Sequence, residues 1–116
     1  MSNTIQIFTN QAADQVSAAF TINRPLSKGF ADTNASSYLE IYGGLGGGAL
    51  LLKKQCVDGV IRELEEETAQ IAAEFPAAGK ALLFSVNYKS NEVFQVELVG
   101  AAGATLSVNA INFKFD

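Results

Sequence analysis

Four groups of side chains in this sequence could carry chemistry. Glu63, Glu65, Glu66 and Glu67 form the one dense cluster of charge. Carboxylates bind calcium, or work in pairs on a glycosidic bond. Calcium loops intersperse Asp and Asn with Gly, and Asp32-Thr33-Asn34 is only a fragment of that pattern. A glycosidase needs a cleft that so short a chain rarely builds, so the glutamates read as a solvated turn or helix face. The run Gly43-Gly44-Leu45-Gly46-Gly47-Gly48 resembles a phosphate loop, and Gly44, Gly46 and Ala49 fit a loose G-x-G-x-x-A. Phosphate binding needs a helix N-terminus after the loop, and a Walker loop needs Gly-Lys-Ser/Thr. Ala49 to Leu52 reads instead as a strand, so these glycines read as suppliers of positive φ in a hairpin. Cys56 has no histidine beside it and reads as a buried or incidental thiol. Tyr38, Tyr42 and Tyr88 form the last group, amphipathic rim residues on strands that suit a sugar or a protein partner.

Composition narrows the chemistry further. The chain has 116 residues, no His, no Trp and one Cys. Without histidine there is no Ser-His or Cys-His pair and no His-held metal. One cysteine excludes an internal disulfide and a Cys-rich cluster. With 8 Lys plus Arg against 12 Asp plus Glu, the net charge is -4, which opposes phosphate binding by nucleic-acid readers. No enzyme activity and no cofactor are expected. The charged fraction is 17%, against about 25–35% for a soluble surface. That suits either a surface partly covered by partners or a monomer rich in small neutral residues. Residues 1–20 lack a basic start and an apolar run, and the longest apolar stretch, Ala49 to Leu52, falls far short of a membrane span. Assembly in a reducing cytoplasm, with no membrane and no nucleic acid as partner, is the expectation. Asn34-Ala35-Ser36 matches a glycosylation pattern by chance.

The elements that would position these residues are mostly strands. Thr4 to Phe8 alternates, and Ala18 to Ile22 places Phe20 and Ile22 in register before Pro25 breaks the run. Residues 26–37 read as a loop. Tyr38 to Tyr42 and Ala49 to Gln55 read as strands around the glycine turn, and Asp58-Gly59 is a strong turn dipeptide. Ala81 to Tyr88 is rich in β-formers. Val93 to Val99 alternates, with Phe94, Val96 and Leu98 facing in. From Thr105 to Phe115 the apolar frame shifts from Leu106 and Val108 to Ile111, Phe113 and Phe115, which a bulge or a change of sheet produces. Residues 60–75 stay open. Ile61, Leu64, Thr68, Ile71 and Phe75 recur at helical spacing, with Asp58 as a cap and Pro76 beyond the end. Yet Ile71, Ala73 and Phe75 alternate as a strand would. Leu39–Gly43 with Gly46 echo Val96–Gly100 with Gly103, a likeness that any two glycine-turn hairpins share. Strands spaced by Gly and Asn turns indicate one antiparallel β-sandwich domain over residues 1–116, jelly-roll or Ig-like, with room for one short helix in 60–75.

Several of these elements together resemble the small β-sandwich virion proteins of tailed bacteriophages that serve as head decoration, or cement, proteins. They are Phe8-Thr9-Asn10-Gln11 and Ala18-Ala19-Phe20 as an early strand pair, Tyr38 to Gly44, Ala49 to Lys53, Asp58-Gly59-Val60, Glu74-Phe75 with Gly79, and Val93 to Gly103 with a strand to the end. In that type the region after the Asp-Gly turn is read as strands, so the resemblance tips 60–75 towards β. It implies a non-enzymatic structural protein of the virion that self-associates, often as a trimer, and binds the major capsid protein or another virion protein. Lattice attachment would add many weak contacts by avidity. Met1 to Thr4 and the loop 26–37 would serve as arms that order on a neighbour. The candidate partner contacts are Tyr38, Tyr42, Tyr88, Phe94, Phe113 and Phe115, with the covered surface expected on the C-terminal strands and the N-terminal pair. The acidic turn should stay in solvent. The alternative is a phage tail or fibre module that recognises a carbohydrate or receptor.

Overall fold

The computed structural model describes residues 4–22, 37–86 and 92–116. Among them the chain runs through β1 (Thr4–Gln11), β2 (Gln15–Val16), β3 (Phe20–Ile22), β4 (Tyr38–Tyr42), β5 (Ala49–Gln55), β6 (Ile61–Glu63), α1 (Glu65–Glu74), β7 (Ala81–Ser85), β8 (Val93–Val99), β9 (Leu106–Ile111) and β10 (Phe113–Phe115). Two antiparallel sheets pack face to face. Sheet A has the order β1-β9-β4-β7 and sheet B the order β10-β3-β8-β5-β6, with β2 also laid along β8. The pairing is nested: β1 with β9, β3 with β8, β4 with β7, β5 with β6. One long antiparallel ribbon has been rolled so that successive stretches alternate between sheets. That is an all-β sandwich of jelly-roll type.

Alternation fills the space between the sheets. Leu39 and Ile41 of β4, Leu106, Val108 and Ala110 of β9, Leu50 and Leu52 of β5, and Phe94, Val96 and Leu98 of β8 all join one buried cluster. Phe20, Phe94 and Phe113 form an aromatic triad within it. Phe20 and Phe113 meet edge to face with centroids 5.2 Å apart, and Phe94 lies 6.1 Å from each. Such pairs contribute about 0.5–1.5 kcal/mol beyond the area they bury. Phe113 reaches this triad because the last strand changes sheet: β9 lies in sheet A, β10 in sheet B, and Asn112 takes φ 66° between them. The frame shift in the sequence marks that crossing.

The two glycine segments are corners, not hairpins. β4 and β5 lie in different sheets, as do β8 and β9, so neither segment joins paired strands. The corners run side by side: the Ala102 amide donates to the Gly46 carbonyl at 3.0 Å, and the Thr105 amide to that of Gly44 at 3.0 Å. At Gly43, φ is 97° and a Cβ would strike the Thr105 carbonyl. At Gly46, φ is 60° and a Cβ would sit 2.8 Å from the Ala104 amide nitrogen. The echo between the two segments thus reflects one shared task, carrying the ribbon over the edge of the sandwich. The expected early strand pair is also corrected. β1 pairs with β9, and β3 pairs with β8 and β10, because the ribbon changes sheet between β1 and β3.

Residues 65–74 are helical, which corrects the tilt towards strands and leaves only Ile61–Glu63 extended. The backbone of Leu52 explains the change. β6 pairs with β5 only as far as Lys53 opposite Glu63. Beyond that point the Leu64 amide donates to the Leu52 carbonyl at 2.8 Å. The Thr68 hydroxyl accepts from the Leu52 amide at 3.1 Å and donates to its carbonyl at 3.3 Å. The first turn of α1 therefore satisfies a strand edge that would otherwise need another strand. Thr68 and Ile71 are buried, with Leu64 and Phe75 packed against the core, which is the helical spacing in the sequence. No side chain caps the helix, and Glu65, Glu66 and Glu67 fill its first turn, where the macrodipole favours acids. Asp58 is not the cap. It sits in the turn between β5 and β6.

Candidate functional site

The outer face of sheet A carries the two described tyrosines, Tyr38 and Tyr42. Side chains along a strand alternate between faces, so Tyr38, Glu40 and Tyr42 point away from buried Leu39 and Ile41. In register, Tyr38 lies between Ile111 and Ser85, Glu40 between Asn109 and Leu83, and Tyr42 between Ser107 and Ala81. β1 adds Thr4 beside Ile111 and Gln6 beside Asn109. Among the described residues, Glu40 is the one charge on this face of the four strands, and it accepts a hydrogen bond from Asn109 Nδ2 at 3.0 Å. Leu83 is 60% exposed and Tyr42 41%. A shallow hollow of about 380 Å³, lined by Tyr42, Gly43, Gly79, Lys80 and Ala81, opens at one end of the face.

The candidate contacts divide. Tyr38 and Tyr42 share this face, with Tyr38 half-buried and Tyr42 exposed. Phe115 is exposed at the end of β10, at the edge of sheet B, and so lies apart from them. Phe94 and Phe113 are corrected: both have 0% exposure in the aromatic triad and present nothing to a partner. Tyr88 lies outside the described residues, as do all of the loop 26–37 except Ser37 and all of the segment Met1 to Thr4 except Thr4, which begins β1. Leu83 escaped notice, although the run Ala81-Leu82-Leu83-Phe84 signals it. A strand with one face in the core should alternate, and an unbroken apolar run places one large apolar side chain outside.

The other groups do not converge. Glu63, Glu65 and Glu66 are exposed and Glu67 is half-buried. Among the described residues no three Cys, Asp or Glu side chains come together as metal ligands. Cys56 is half-buried, with Sγ 3.8 Å from the Lys54 carbonyl. Asp14 holds the corner after β8. Its carboxylate accepts from the Ala101 amide at 2.7 Å and the Gly100 amide at 2.8 Å, and these bonds lower its pKa. Asp58 forms a bidentate pair with Arg62 at 2.8 and 3.0 Å and accepts from the Val60 amide. Arg62 first and then that amide lower the Asp58 pKa, and the guanidinium is raised in turn. Both arrangements fix turns rather than leave a reactive group free.

No protein-family model matches the sequence, and no curated protein matches it. Among the described residues no helix is long and apolar enough to cross a membrane.

Proposed function

We propose that this chain is a non-enzymatic structural subunit of a bacteriophage virion, one that decorates and stabilises the capsid by binding the major capsid protein or another virion protein. The observation that carries the reading is the outer face of sheet A, which is broad, holds Tyr38, Tyr42 and Leu83, and has Glu40 as its one charge among the described residues. Covering such a face desolvates one described charge, that of Glu40, which accepts one hydrogen bond from Asn109 and would need a further donor or cation from the partner. Jelly rolls serve in viral capsid domains, a support by analogy of fold alone. The subunit would assemble in the host cytoplasm and function on the particle.

The test is co-sedimentation with assembled heads of the phage that encodes the chain. The protein should pellet with heads, and Tyr42→Lys should leave it in the supernatant while it stays folded. A wild-type chain that remains in the supernatant at saturating concentration overturns the reading. A tail or fibre module that binds a carbohydrate is the second reading, favoured by the hollow beside Tyr42, since sugars stack on exposed rings. Glycan-array binding that Tyr42→Ala abolishes would establish it.

A further inference from the structure

Every open sheet leaves edges with unpaired backbone groups, and proteins block them with charge, bulges or brevity. Three edges of this sandwich are blocked in those ways. β1 carries two register shifts against β9, between Gln6 and Phe8 and between Phe8 and Gln11. β6 is three residues long and holds Arg62 and Glu63, and β10 is three residues long and holds Lys114. The fourth edge, β7, has none of these devices. Its five residues, Ala81-Leu82-Leu83-Phe84-Ser85, pair with β4 in unbroken register and include no charge and no proline.

The direction of its backbone groups follows from the ladder. The Val86 amide donates to the Ser37 carbonyl at 2.9 Å, and hydrogen-bonded pairs alternate along an antiparallel ladder. Phe84 with Leu39 and Leu82 with Ile41 are therefore the bonded pairs. On the other side of β4, the Thr105 amide bonds the Gly44 carbonyl, which assigns Tyr42, Glu40 and Tyr38 to β9 and agrees. The amides and carbonyls of Ala81, Leu83 and Ser85 consequently point away from sheet A. No strand of the described residues lies beyond them.

We propose that a second copy of this chain adds to sheet A by antiparallel β7–β7 pairing about a two-fold axis through Leu83. The strand is its own complement. The axis sets Leu83 opposite Leu83 and Ala81 opposite Ser85, and all of these have outward-facing backbone groups. On the inner face Leu82 meets Phe84. No like charges confront each other, which self-pairing would impose on β6 or β10. The exposed Leu83 side chains are covered by one another, and two outer faces, each with Glu40 as its one described charge, join into one. A different edge of the second copy fits less well, because β1 is bulged, β6 and β10 are short and charged, and β2 is only two residues long. The inference goes beyond the proposed function, giving the self-association implied by the resemblance a specific edge and replacing the implied trimer with a pair. It does not require a capsid.

One strand pair is a small interface, well under about 1,200 Å², and weak. Mass is therefore measured on the full chain by light scattering up to roughly millimolar concentration. The wild type should rise to twice the monomer mass. Leu83→Lys and Leu83→Glu should each stay monomeric with unchanged circular dichroism, since Leu83 is 60% exposed. An equimolar mixture of the two should recover the dimer, because the axis places residue 83 opposite itself. The Leu83 amide should gain protection from hydrogen exchange as concentration rises, while that of Leu82, already bonded to β4, should not. A monomer at all concentrations, a trimer, or a dimer that Leu83→Lys leaves intact overturns the pairing. A trimer that co-sediments with heads would overturn it and keep the capsid reading. A dimer that never binds heads would do the reverse.

Discussion

The two outer faces of this jelly roll arise from the same alternation and carry different surfaces. On sheet B, Lys53 stands opposite Glu63 in register and bonds Glu97 on the next strand at 2.9 Å, and Lys114 lies at the β10 edge. On sheet A, Glu40 is alone among tyrosine, leucine and small polar residues of the described strands. The low charge of the chain is thus not spread evenly. The ion pair on sheet B adds little to stability, but covering it would require desolvating charges whose attraction does not always offset the loss. Covering sheet A would desolvate the single carboxylate of Glu40 in place of an ion pair. The edges repeat the contrast, with charge on β6 and β10 and none on β7.

The largest expected effect separates the aromatic residues of the core from those of the outer face. Phe94→Ala removes a fully buried ring from the triad and should cost about 3–5 kcal/mol, read from urea unfolding. Tyr42→Ala on the outer face of sheet A should stay within about 0.5 kcal/mol. Equal losses would mean that the outer face of sheet A is structural too. The next effect belongs to the corners. Gly46→Ala forces a side chain into positive φ and against the neighbouring corner, and should cost about 1–3 kcal/mol. A neutral result would show that the two corners move apart readily.

Much of this contrast is legible in the sequence, and what is not has a physical reason. The bounds of β4, β5 and β8 follow from local alternation and nearby turns. The change of sheet at Asn112 is visible as a shift of apolar frame. Pairing partners are not visible, because glycines with positive φ serve a hairpin and a corner equally, and only distant strands decide between them. Residues 65–74 fit a helix and a strand until the backbone of Leu52 supplies the deciding bonds through Leu64 and Thr68. Aromatic character marked Tyr42 and Phe113 alike. Only the crossing at Asn112 turns Phe113 into the core. Leu83 is legible after all, as the residue that breaks alternation in β7.

On the faces themselves, stability and binding should separate. Lys53→Met ends the bond to Glu97 and should change stability by at most about 1 kcal/mol, with attachment to heads unaffected. Tyr42→Lys should leave stability as it is and remove attachment. If Lys53→Met weakens attachment as much as Tyr42→Lys, the contact face is not confined to sheet A.

The smallest effect expected is acid sensitivity, carried by turns rather than faces. The Asp14 carboxyl is lowered from its ordinary 3.8 by the Ala101 and Gly100 amides, and that of Asp58 by Arg62 and the Val60 amide. A carboxyl with a depressed folded pKa contributes stability above its unfolded value and loses it as pH falls through the folded value. Stability should therefore hold down to about pH 4 and decline below it. Asp14 ties the first sheet-to-sheet connection to the corner after β8, whereas Asp58 ties only its own hairpin. Asn at position 14 has no charge to lose, so Asp14→Asn should melt lower than wild type at neutral pH and show a shallower decline in acid. The two melting curves should converge once the pH falls below the depressed folded value of the wild-type carboxyl, where it too is protonated. A gap that stays constant from neutral pH to acid would mean that Asp14 holds the corner by shape rather than by charge.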